Sequence, residues 1–163
     1  MIRHLPCALV ALLTSACGIF GGRPETVLEM QNPPFGGPVE VQIADSSVEP
    51  GELYLRLAVH NRSARPLIID RRSLVISNGS LEWPATPISK PFVTVKPNRT
   101  STRLKLTFQG VPSGEPAYDL LFKRGAFRFD GESGEEVPMS PVRLLAKKTA
   151  APSAQAAAGT NPR

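Results

Sequence analysis

The sequence predicts an all-β domain, a sandwich of about seven to nine short strands. Three observations predict it. Apolar and polar residues alternate with a period of two over several segments, which is the pattern of half-buried strands. Turn residues rich in Pro, Gly and Asn separate these segments at close spacing, as sandwiches and barrels require. No stretch carries the apolar period of a helix.

The elements follow in order. In VEVQI, Val39, Val41 and Ile43 share one face. In ELYLRLAVHN, Leu53, Leu55, Leu57 and Val59 share one face, while Tyr54, Arg56, Ala58 and His60 take the other. In TRLKLTF, Leu104, Leu106 and Phe108 oppose Arg103, Lys105 and Thr107. Shorter runs read the same way: Leu67–Ile69, Leu74–Ile76, Phe92–Val95, Tyr118–Phe122, Phe127–Phe129 and Val142–Leu145. Glu49-Pro50-Gly51 forms a turn, and Asn78-Gly79 predicts a tight hairpin because Gly supplies a positive φ cheaply. Pro84, Pro87 and Pro91 make the stretch after Trp83 a loop or an edge strand. Leu55, Leu57, Leu104, Leu106, Phe108 and Phe122 are the expected core, with Trp83 in the core or on its rim.

The ends read differently. Residues 1–16 run from a basic start at Arg3 through an apolar run, Leu5 to Leu13, to small residues Ser15 and Ala16. That order is a secretory signal, and the run is too short to span a bilayer. Leu13-Thr14-Ser15-Ala16-Cys17 resembles the lipobox of bacterial lipoproteins, with Thr14 in place of the preferred Leu. The resemblance implies cleavage before Cys17 and acylation of its sulfur and new amino group, and two or more chains give a stable anchor. It implies a lipid-anchored envelope protein, with Gly18 rather than Asp after the cysteine placing it at the outer membrane, facing the periplasm. Residues 17–38, rich in Gly and Pro, read as a flexible tether. The folded domain is then expected over 39–146, and the Ala-rich tail 147–163 reads as disordered.

A second resemblance lies inside the domain. LYLRLAVHNRSARPLIID, VTVKPNRTSTRLKLTF and AYDLLF look like bacterial immunoglobulin-like extracytoplasmic domains. The resemblance implies an immunoglobulin-like sandwich but names no ligand, and fold alone does not supply one.

Composition narrows the chemistry. Both cysteines, Cys7 and Cys17, precede the domain, so the domain holds no disulfide, thiolate nucleophile or cysteine metal site. The formal charge is +5, and removing the signal with its Arg3 leaves +4, a mild balance that favours anionic partners. His60 is the one histidine after the signal, so a Ser–His–acid triad would have to use it, and a histidine-rich metal site is not expected. Met30 and Met139 do not form a copper-binding set. Asp130-Gly131-Glu132-Ser133-Gly134-Glu135-Glu136 lacks the ligand spacing of an EF-hand loop and reads as a turn with solvated acids. Three Asn-x-Ser/Thr triplets, at Asn61, Asn78 and Asn98, read as turn chemistry in a bacterial chain. Export and the lack of aromatic-basic interleaving disfavour nucleic acid.

The expected function is therefore a membrane-anchored, non-catalytic binding or accessory module that contacts another envelope component. The rival is an envelope hydrolase using dispersed carboxylates or His60. No cofactor is expected. The site residues are Cys17 for lipidation and a basic partner-contact face of Arg56, Arg103 and Lys105, which alternation places on one solvent side if their strands share a sheet.

Overall fold

The computed structural model describes residues 26–32, 35–86, 89–131 and 134–148. Cys17, the signal and most of the tail lie outside the described residues. The described chain is almost entirely strand, with one 3-10 turn at Arg71–Ser73 and no α-helix. The strands are β1 (Thr26–Met30), β2 (Phe35–Gly36), β3 (Val39–Glu49), β4 (Gly51–Asn61), β5 (Leu67–Asp70), β6 (Leu74–Ser77), β7 (Glu82–Pro84), β8 (Phe92–Val95), β9 (Arg99–Val111), β10 (Ala117–Phe122), β11 (Phe127–Phe129) and β12 (Val142–Lys148).

All pairings are antiparallel. The large sheet runs β7-β6-β10-β12-β1-β3-β4-β9, with β2 on β3, and the small sheet runs β11-β5-β8. The two are joined by one long ribbon. Ile69 pairs with Phe127 in the small sheet and Leu74 with Phe122 in the large one, so pairing resumes in the same register across the break. The break is the Arg71–Ser73 turn, capped by Asp70, whose carboxylate accepts from the Arg72 backbone at 3.0 Å. β5 and β6 are thus one kinked strand that passes from the small sheet to the large one.

The core follows the alternation. Leu53, Leu55, Leu57, Leu104 and Phe108 are fully buried against Leu67, Ile69, Leu74, Ile76, Leu120 and Phe127. β3 carries a bulge between Ile43 and Asp45 that switches its inward phase, from Val39 and Val41 to Ser46 and Val48. Tyr118 is buried and its hydroxyl donates to the Pro112 carbonyl at 2.5 Å. Such a corner, a tyrosine bonding to the backbone a few residues upstream, recurs in immunoglobulin-like sandwiches.

Several expectations need correction. The expected tether contains β1, which lies inside the large sheet between β12 and β3 and places Leu28 in the core. The folded unit therefore begins by Thr26 rather than at residue 39, and β12 runs to Lys148, past the expected boundary at 146. Among the described residues the strands number twelve rather than seven to nine, because β1, β2 and β7 are short and carry little alternation. Phe122 is half-buried, edge-on to Phe127 with centroids 5.5 Å apart. The Asn78-Gly79 hairpin is a four-residue loop in which only Gly79 has positive φ, at 89°. Trp83 sits on the rim of the core, 3.7 Å from where a Cβ on Gly110 would lie.

Candidate functional site

The predicted basic face assembles as alternation requires. β4 and β9 are neighbours, and Arg56 stands opposite Lys105, with Arg103 two residues along the same side of β9. Arg56, however, is paired to Asp45 on β3 at 3.4 Å. Its charge is largely spent within the sheet.

The other cations sort by partner. Ion pairs hold Arg62 to Glu40, Arg65 to Glu135, Arg72 to Asp70, Lys123 to Glu82 and Arg143 to Asp119. Arg124 and Lys147 are paired as well. Among the described residues, Lys90, Lys96, Arg99, Arg103 and Lys105 have no carboxylate partner. All five flank β8 or lie on β9. Two more cations without a carboxylate point to the same region. The Arg71 guanidinium donates to the Arg103 carbonyl at 2.9 Å, and burial lowers its pKa without threatening its charge. Arg128 lies over the exposed ring of Phe92 at 5.6 Å, and Arg72 lies over the same ring at 5.0 Å.

The fold explains this crowding. β8 ends the small sheet and β9 ends the large one, and the turn at Lys96–Asn98 joins them. Asn98 takes the left-handed conformation there, with φ 51°. The two edge strands diverge from this turn and leave an open groove of about 500 Å³ between them. Thr94 and Lys96 line one wall, and Arg99, Ser101 and Arg103 the other, with no carboxylate among the lining residues.

A buried amide holds the groove's end together. Asn61 is fully buried at the end of β4. Its Nδ2 donates to the carbonyls of Arg65 at 2.8 Å and Val95 at 3.2 Å, and its Oδ1 accepts from the Ser63 backbone at 3.0 Å. This ties the loop after β4 to β8. Asn78 Oδ1 likewise accepts from Ser80 and Leu81, so each triplet asparagine serves a turn.

No known protein family, curated protein or solved structure matches this chain. The site must therefore be read from its own chemistry.

His60 lies elsewhere, on the outer face of the large sheet, in a row with Glu40 on β3 and Thr100 on β9. A depression of about 260 Å³ surrounds them. His60 Nδ1 and Thr100 Oγ1 are 2.6 Å apart. The Glu40 carboxylate is engaged by Gln42 at 2.8 Å and Arg62 at 2.6 Å, and no hydrogen bond joins it to His60 among the described residues. The row thus has a hydroxyl and an imidazole in contact but no acid orienting the imidazole, the third link of a triad. In the acidic segment, Glu135 pairs with Arg65, and Glu136 Oε1 accepts from the Gly125 backbone at 2.6 Å. No group of three or more His, Cys, Asp or Glu side chains fit to hold a metal is found among the described residues.

Sequence reasoning named Arg103 and Lys105 but missed Lys96, Arg99 and the groove. The signal was present in Lys96-Pro97-Asn98-Arg99, a turn with a cation at each end. Alternation could not show that this turn links two different sheets rather than one hairpin.

Proposed function

We propose that this chain is a lipid-anchored envelope protein whose β-sandwich is a non-catalytic binding module, docking an acidic partner through its β8–β9 side. The observation that carries this reading is the collection of Lys96, Arg99 and Arg103 without carboxylate partners around one open groove, with Lys105 following on β9. Cations scattered for solubility have no reason to lose their counterions on one side only. Unpaired like charges side by side cost stability, which a partner of opposite charge recovers.

The anchor expected at Cys17 gives the groove a direction. Eight residues separate Cys17 from Thr26, a reach of at most about 32 Å. Thr26 pairs with Val48 beside the Glu49–Gly51 turn, whereas Arg99 pairs with Asn61 at the other end of β4. Leu53 to Asn61 spans eight residues, or about 26 Å of strand. The acids Glu49 and Glu52 sit at the anchored end and the basic groove at the far end. The groove thus lies at the end of the domain opposite the one the tether enters, and the partner proposed for it is an acidic envelope protein.

Crosslinking in native membranes, read by mass spectrometry, tests the proposal. Changing Lys96, Arg99, Arg103 and Lys105 together to Glu is expected to leave the fold intact and remove the crosslinked partner. Retention of the same partner at all salt concentrations would end this reading. A Cys17→Ser chain that still sediments with membranes would end the anchor.

A further inference from the structure

Building on the proposal that the β8–β9 side docks an acidic partner, we infer that the partner binds as an extended acidic strand added to the free edge of β8. The backbone phase of β8 carries the argument. The Arg71 amide donates to the Pro91 carbonyl at 2.9 Å. With the register of Asp70 opposite Phe92, this turns the backbone groups of Val93 and Val95 toward β5. Those of Phe92 and Thr94 point the other way, along the groove side, and among the described residues β8 pairs with no strand but β5.

The other edges nearby are partly occupied. On β11, the Phe129 amide donates to Glu135 at 2.8 Å and the Phe127 carbonyl accepts from Val137 at 2.9 Å. On β9, the Arg103 carbonyl is taken by the Arg71 guanidinium, and the Thr107 carbonyl accepts from the Thr86 amide at 2.7 Å. Among the described residues the edge of β8 has no backbone partner beyond β5, and it opens beside the groove. An unpaired edge is a template for another chain, and proteins commonly guard it with Lys and Pro. Lys90-Pro91 and Lys96-Pro97 bracket β8 in this way.

The same guards choose the occupant. A second copy of β8 laid antiparallel on the first would set lysines against lysines. An acidic strand meets Lys90 and Lys96 favourably at its ends. It would lie about 4.8 Å from β8, inside the groove, with its outer side toward Arg99 and Arg103. Main-chain hydrogen bonds would supply much of the affinity, and alternate side chains the selectivity.

The test uses the full chain in detergent and a blocked peptide of alternating Glu and Val. Hydrogen exchange at the Phe92 and Thr94 amides should slow at least about tenfold when the peptide saturates. Thr94→Pro removes an outward amide that β5 does not use, and should weaken binding about tenfold, the worth of roughly one hydrogen bond. Thr94→Val keeps the amide and should retain more binding than Thr94→Pro. Should Thr94→Pro fail to fold, the peptide N-methylated at every Val, or at every Glu, interrogates the same bonds with the protein unchanged. At least one of the two should lose binding. If binding survives Thr94→Pro and both methylations but disappears on reversal of Arg99 and Arg103 to Glu, strand addition is overturned and the basic docking surface stands. If binding also survives charge reversal, both readings fall. No binding of the unmodified peptide overturns strand addition, and the crosslinking then judges the surface alone.

Discussion

Arg56 and Lys105 face each other across β4 and β9, yet the Arg56 guanidinium turns away to Asp45, 3.4 Å off on β3. One carboxylate thus decides which side of the outer face stays charged. Toward β3 the charges cancel, and along β9 they accumulate. Lys105, Arg103 and Arg99 continue that accumulation to the turn at Lys96.

Asp45→Asn is expected to release Arg56 and extend the basic surface inward. The pair is solvent-exposed, with 53% of the Asp45 side chain accessible, so stability should fall by no more than about 1 kcal/mol. Association with an acidic peptide should tighten at low salt and converge with the parent as salt rises, because screening acts over about 8 Å at physiological ionic strength. Unchanged affinity at low salt would show that Arg56 lies outside the binding surface.

The long strands were legible because each buries one face. Leu53 to Val59 and Leu104 to Phe108 follow period two without interruption, so their faces, and with them the side occupied by Arg56, Arg103 and Lys105, were readable. β1 was not. Thr26–Met30 is flanked by glycine and proline and buries only Leu28 fully, so its place in the sheet comes from partners far along the chain, Leu144 to Lys148 and Val48. Alternation in β3 was visible to Ile43 but not beyond, because the bulge reverses the phase. The groove was hidden for a related reason: sequence gives strands and turns but not which sheet each strand joins.

Removing the expected tether should therefore damage the fold. Leu28 is 5% exposed, and its amide donates to the buried Ser46 hydroxyl at 2.8 Å. A chain starting at Pro38 loses these contacts and the strand that joins β12 to β3. It is expected to lose its cooperative thermal transition by circular dichroism, whereas a chain starting at Thr26 keeps it. In the full chain, Leu28→Ala should cost roughly 2–5 kcal/mol, as buried leucine truncations do.

Asn61 is expected to be the most sensitive polar residue. Asn61→Ala strands the Ser63 amide, a cost of roughly 1–3 kcal/mol for a group left unpaired, and takes one bond from each of the Arg65 and Val95 carbonyls. Asn61→Asp replaces the donor with a second acceptor that faces those carbonyls. A carboxylate buried there favours its neutral form, so this variant should be more stable near pH 4 than at pH 7, measured by denaturant melts. Because Asn61 also holds β8 in place, both changes should weaken peptide binding at the groove beyond their effect on stability.

The last prediction concerns alkaline pH. Burial of Tyr118, with Glu115 nearby adding to it, raises the phenol's pKa above its ordinary value. The phenol is therefore held neutral in the folded state, donating to Pro112. A folded pKa raised above the unfolded one gives stability that is complete below the unfolded value of about 10 and is lost as pH rises through the folded value. Tyr118→Phe should cost about 0.5–1.5 kcal/mol at neutral pH through the lost hydrogen bond. Above pH of about 10 the difference between parent and variant should shrink, because the parent must ionise a buried phenol that the variant lacks. Parallel stability curves through that range would show that folding does not raise the Tyr118 pKa.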